Sequence, residues 1–235
     1  MQCDTLRMQV QQILFSQGFG NRRSCAALVD AGQVHIDGRA MEDPAEDIEP
    51  EGLVFHVSGQ PWPYRARALI MLNKPAGYEC SRAPRHHPSV LSLLPDPLRR
   101  RGVQPVGRLD EDTTGLLLLT DDGALIHRLT SPKHHVPKVY EVGCKHPVDD
   151  QQLDRLLQGV VLDDDPLPVQ AAAVLQTGSH QLQLTLVAGK YHQVKRMVAA
   201  VSNRVESLHR SAFGRWSLPA GLLPGQWQWV DDAPA

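Results

Sequence analysis

The chain has 235 residues, 42% of them hydrophobic, and sets 24 Lys+Arg against 26 Asp+Glu. That length suits one large or two small domains, and no window approaches the ~18 consecutive apolar residues that read as a membrane span. The N-terminal MQCDTLRMQV lacks the basic and apolar blocks of a secretory signal. Cys3, Cys25, Cys80 and Cys144 are scattered with no Cys-x-x-Cys pair, which predicts reduced thiols in a cytoplasmic protein.

In chain order, helices are predicted over 5–17 and 24–31, the second with Ser24 as N-cap and Gly32 as its stop. A strand at Val34–Ile36 meets Asp37-Gly38, a strong hairpin signal, and an alternating run over 53–57 closes the segment. Gln60-Pro61-Trp62-Pro63-Tyr64 suits a stiff linker, placed at 61–67 between a small domain (1–60) and a larger one (68–235). Strands follow over 68–72, 116–119, 139–142 and 182–186, the 116–119 strand closed by a Thr120-Asp121-Asp122-Gly123 turn. Helices are expected over 153–157, ending at Gly159, and over 192–201, with Val194, Met197, Val198 and Val201 on the apolar side and Lys195 and Arg196 on the other. Without regular strand–helix alternation the larger domain reads as α+β, a mainly antiparallel mixed sheet flanked by helices.

The net charge of −2 argues by itself against a nucleic-acid partner. Its distribution argues the other way. Residues 1–60 hold four Lys/Arg and nine Asp/Glu, residues 61–105 eight and two, and residues 190–215 six and one. Two basic segments of this kind suit a polyphosphate, the alternative being a solvated surface clustered by chance.

Gly107-Arg108-Leu109-Asp110, followed by Thr113-Thr114-Gly115, sets one carboxylate on a turn between an arginine and a buried strand. An Asp held there is a nucleophile or general base; the plain alternative is a turn cap. His86-His87 and His134-His135 invite a metal, but adjacent residues diverge on regular structure and no Cys or carboxylate stands at ligand spacing. They are read as polar loop residues near RNA. No Walker loop or dinucleotide Gly-x-Gly-x-x-Gly occurs, so neither metal nor cofactor is expected.

The string VGRLDEDTTGLLLLTDDG over 106–123 resembles the catalytic motif of the pseudouridine synthases of the RsuA/RluA class. Lys138-Val139-Tyr140 is similar to that family's K-x-Y element, residues 189–197 (GKYHQVKRM) to its G-x-x-H-Q-[VLI]-[KR]-R-M, and residues 72–77 (LNKPAG) to its L-N-K-P-x-G. The resemblance implies an isomerisation: the N1–C1′ bond of a uridine opens, the uracil turns, and C5 is joined to C1′ with no cofactor. It implies Asp110 as the catalytic carboxylate, adding to C6, attacking C1′ or taking the C2′ proton, and ionised in each case. Lys195 is the apposed cation, with Arg196 as the alternative. Tyr140 stacks on the extruded uracil and offers its hydroxyl for proton transfer at C5. Arg108 contacts the RNA near the position the flipped base vacates, and Val194 is an apolar wall on the other face of the base, in a pocket closed to water.

Residues 6–58 resemble the S4 RNA-binding domain through Asn21-Arg22-Arg23-Ser24 and residues 32–38. Asp37 stands where that family commonly has Asn, and the segment is acidic, so RNA contact is expected to be local, through Arg22, Arg23 and Arg39. A purely stabilising role is the alternative. Residues 71–75, 77–81, 87–91 and 190–197 look closer to the RsuA-type, small-subunit members of the class. The expected substrate is therefore one uridine of 16S rRNA, free or in a small-subunit ribonucleoprotein assembly intermediate, bound by a monomer. Three alternatives stand beside this: a 23S rRNA synthase, a non-catalytic RNA-binding ribosome-assembly factor, and a glycosidase. The last needs paired carboxylates, and Glu111 and Asp112, on the same turn, are expected to face solvent.

Overall fold

Helices Val10–Ser16 and Arg22–Asp30 open the fold and are followed by an antiparallel sheet of Arg39–Ala40, Val34–Ile36, Val54–Val57 and Gln60–Pro63. The computed structural model describes residues 7–163 and 165–231, and of 165 and 166 only the backbone. Cys3 and the first two residues of the helix expected over 5–17 lie outside them. The chain divides into two units, Met1–Ala68 with Leu94–Val103, and Leu69–Leu93 with Gln104–Ala235.

In the first unit Asn21, not Ser24, caps the second helix. The Asn21 side chain accepts the Ser24 N–H at 2.9 Å, leaving Ser24 inside the first turn. Asp37 and Gly38 both have left-handed backbones (φ 50° and 77°), as a two-residue type I′ turn requires, and pair Ile36 with Arg39. Gln60–Pro63 is no linker. It pairs antiparallel with Val54–Val57 as an edge strand, where proline removes no needed ladder donor. Trp62 and Phe55 are buried and both meet the Phe19 ring edge-on. The Asp96–Arg101 helix also belongs to this unit, where Arg101 donates to the buried Gln17 side chain at 2.6 Å.

The second unit is built on a nine-stranded sheet among the described residues. Its main path runs Ala173–Gly178, Gln181–Leu186, Lys138–Cys144, Val205–Phe213, Thr114–Thr120, Leu69–Lys74, Trp227–Trp229. Neighbours are antiparallel except Val205–Phe213 and Thr114–Thr120, which run parallel, so the sheet is mixed and mainly antiparallel as expected. Leu116–Leu119 and all six residues of Leu69–Lys74 are buried, the pattern of strands covered on both faces. Leu116 and Leu118 join Leu69 and Met71 on one face, against Leu125 and Leu129 of the Gly123–Thr130 helix. That helix was not expected: Thr120–Gly123 is more than a turn, because the Asp122 carboxylate accepts the Ala124 and Leu125 N–H groups at 2.8 and 3.1 Å and caps it. The helix expected over 153–157 is longer, Asp150–Gln158, with Asp149 capping it, and the helix expected from 192 begins at Gln193. Gly115 is required where the parallel pair closes. A Cβ there stands 2.3 Å from the Arg210 carbonyl oxygen, and its φ is +102°.

Candidate active site

The second unit gathers its reactive side chains around the loop 107–113, and the loop is held from below by one buried lysine. Lys74, at the end of a strand with no accessible surface, donates to the carbonyls of Asp110, Glu111 and Thr113 at 2.9, 3.0 and 2.8 Å, and to Pro75 at 3.2 Å. Burial lowers its pKa, opposed by Cys80 and the three loop carboxylates. The Glu111 carbonyl also accepts the Gly77 N–H at 2.9 Å. With Leu109 buried beneath it, the loop presents the Asp110 carboxylate at the surface of a cleft, 30% exposed.

Two side chains approach that carboxylate from one helix and its N-cap. His192, left-handed at φ 48° as N-cap of Gln193–Ala200, places Nε2 3.4 Å from Asp110 Oδ1. Lys195 places Nζ 3.5 Å from Asp110 Oδ2, and 2.6 and 2.8 Å from the two oxygens of Asp112. Desolvation opposes the charges of this pair, but hydrogen bonding and charge attraction together outweigh it, lowering Asp112 and raising Lys195. Asp112 therefore does not simply face solvent. It is the closer anchor of Lys195.

Two cavities share Asp110, Arg108, Leu109 and His192 as walls. One, of about 410 Å³, reaches Tyr140, Val194, Lys138, Arg210 and Phe213. The other, of about 510 Å³, reaches Lys195, Asp112, and the Glu79, Arg85, His86 and His87 loop. The Glu79 carboxylate accepts the backbone N–H groups of Arg85, His86 and His87 at 3.1, 2.8 and 2.9 Å, which lowers its pKa to about 2.

Of the residues expected from the sequence, Asp110, Tyr140, Val194 and Arg108 line one cavity, and Lys195 reaches Asp110 from the other. Arg196 turns elsewhere, donating to the Tyr191 carbonyl at 3.2 Å. Arg22, Arg23 and Arg39 belong to the first unit, and Arg39 is paired with Glu46. The segment 190–215 is not one basic surface. Arg210 is buried, and Arg204 pairs with Glu206 at the far end of its strand from Phe213. Sequence reasoning missed His192, Asp112 and Lys74 as parts of the site. A lysine closing a strand that opens with four apolar residues was the available signal, since a buried ammonium must find acceptors.

A family model described as RNA pseudouridylate synthase matches residues 68–200. Over 224 residues the chain is 40% identical to YtzG of Bacillus subtilis, named an RNA pseudouridine synthase, covering 94% of each chain. It is 37% identical over 221 residues to ribosomal small subunit pseudouridine synthase A of Escherichia coli K12, covering 94% of this chain and 95% of that one. A crystal structure of a pseudouridylate synthase superposes with a TM-score of 0.67 at 31% identity, covering 95% of this chain and 96% of that one. With a loop-borne Asp110 between a histidine and a lysine, and similarity that runs nearly the full length of these relatives, the chain belongs to the RNA pseudouridylate synthase family.

Proposed function

We propose that this protein converts one uridine of small-subunit rRNA to pseudouridine, with Asp110 as the catalytic carboxylate. The observation that carries this reading is the Asp110 carboxylate, which opens onto the Tyr140 cavity while Lys195 and His192 stand 3.5 and 3.4 Å away. An apposed cation favours the ionised carboxylate that each route through C6, C1′ or C2′ demands. Tyr140 is 9% exposed at the cavity wall, where its ring offers a stacking face to an extruded uracil and its hydroxyl a proton-transfer group. Val194 supplies an apolar wall and the exposed Arg108 a donor beside the displaced strand.

A glycosidase reading is disfavoured because Asp112, a second carboxylate on the same loop, is engaged by Lys195 rather than free to serve as an acid. The small-subunit assignment follows the named activity of the E. coli relative. The first unit is read as an S4-like module whose RNA contacts run through Arg22, Arg23 and, where Glu46 releases it, Arg39.

The test is tritium release from RNA labelled at uracil C5, with wild type and Asp110→Asn on 16S and 23S transcripts and on a small-subunit assembly intermediate. Wild type is expected to release tritium from 16S RNA or its ribonucleoprotein, and Asp110→Asn to bind equally and release none. Release by both proteins removes Asp110 from the reaction. Release from 23S RNA alone moves the substrate to the large subunit.

A further inference from the structure

The floor of the Tyr140 cavity holds two cations that the chemistry above does not use. Arg210 is 1% exposed and lies directly across the sheet from Tyr140. Its Nε donates to the Leu116 carbonyl at 2.8 Å, but its buried Nη2 has no hydrogen-bond partner. Lys138 stands across from Phe213 on the same pair of strands, and its Nζ donates to the Val136 carbonyl at 3.0 Å. Both charges lie against the Phe213 ring, at 5.2 Å for Lys138 and 5.0 Å for Arg210. Neither is in an ion pair with a carboxylate among the described residues. Burial, with the Arg210 guanidinium adding to it, pushes the Lys138 ammonium down to about 8.

Two desolvated cations without a counter-charge are held at a free-energy cost that an anionic occupant removes. The choice of anion follows from the reaction. If Asp110 adds to C6, the displaced electron pair runs through C5 and C4 onto O4. If Asp110 attacks C1′ or takes the C2′ proton, the N1–C1′ bonding pair leaves with the base and spreads over N1 and O2. In every route a ring carbonyl oxygen carries negative charge before the C5–C1′ bond forms. The balance then closes as Asp110 leaves C6 or C1′, or returns the C2′ proton, while C5 loses its proton and N1 gains one. A delocalised ring anion suits a floor that also carries Leu186, Leu208 and Phe213.

We propose that Lys138 and Arg210 are a catalytic pair that donates hydrogen bonds to the carbonyl oxygens of the uracil ring while that ring is anionic. This rests on the pseudouridine reading and adds to it the groups that take up the charge of the detached base.

The test compares wild type with Lys138→Gln, Lys138→Arg and Arg210→Lys, by single-turnover tritium release and RNA Kd from pH 6 to 9.5. Loss of one such donor is expected to slow the chemical step about 100-fold or more. Lys138→Gln should show that loss with Kd within about threefold of wild type, since the donor acts after binding. Lys138 is charged below about pH 8 and neutral above it. Wild-type kcat/KM should therefore fall about tenfold per pH unit on the alkaline side, and Lys138→Arg should recover most of the rate and lose that fall. Arg210→Lys should slow release similarly; if it does not fold, the Lys138 pair still decides. A Lys138→Gln rate within threefold of wild type overturns the inference, as does a Kd that rises in proportion to the rate loss or an alkaline limb unchanged in Lys138→Arg. Wild type inactive on every RNA overturns the parent reading and the inference with it. An active wild type with unaffected variants overturns the inference alone.

Discussion

Lys195 stands between two carboxylates at unequal distances, bonded to Asp112 and 0.7–0.9 Å farther from Asp110. The arrangement fixes the ammonium with one acid while its field acts on the other, so Asp110 is held less tightly than Asp112. Exposed pairs of this kind add little to stability, about 1 kcal/mol at most, which makes their meaning positional. Lys74 differs because its acceptors are all main-chain oxygens and it is fully buried. Lys74→Met strands these carbonyls and is expected to destabilise the fold by about 3 kcal/mol, read as a lower urea midpoint, with loss of activity as the loop loosens. Unchanged unfolding in that variant would remove Lys74 as the support. Asp110, Tyr140 and Lys195 were legible in the sequence because each lies in a short string with its own neighbours. His192 was passed over in the same string because its role depends on a left-handed turn that points the ring back at Asp110. The pairing of Lys74 with a loop some 36–39 residues away is set by strand register and is invisible locally.

At the scale of elements, the 79–89 loop is a compact device. One exposed carboxylate, Glu79, gathers three consecutive N–H groups and so presents Arg85, His86 and His87 toward the second cavity. Its pKa falls from 4.5 to about 2, so the contribution is complete above the ordinary value and is lost as pH drops through about 2. Amide exchange at these three positions should therefore stay slow at pH 4 in wild type, while in Glu79→Gln it should be about tenfold faster even at pH 7. Equal exchange in the two proteins would mean that the loop is held by something else. The strands read best where alternation is strong, as in Gln181–Leu186, whose bounds matched the expected Leu182, Leu184 and Leu186 face. Gln60–Pro63 was misread because two prolines around a tryptophan resemble a linker, and only the pairing with Val54–Val57 shows an edge strand. The Gly123–Thr130 helix was hidden by its brevity and its glycine start, with the capping Asp122 mistaken for part of a turn.

Over the whole molecule, a net charge of −2 gives no hint of an RNA-binding face, and even the segment charges mislead in part. Arg99, Arg100 and Arg101 fall in the first unit, and Arg204 lies roughly 20 Å along its strand from Arg210. Arg82 is exposed on the same loop as Arg85. Arg82→Glu is thus expected to weaken RNA binding and flatten the salt dependence by about one phosphate contact, whereas Arg204→Glu, already paired with Glu206, should leave both unchanged. A reversed ranking in filter-binding titrations over a salt series would relocate the RNA path. The Lys74 clamp grips peptide oxygens and never side chains, so its hydrogen bonds do not depend on which residues the loop displays, although the loop carboxylates help to keep the ammonium charged. Position 111, whose side chain is exposed while its carbonyl is held, can change its side chain and keep that bond. What the loop displays is thereby separable from what supports the carboxylate beside it.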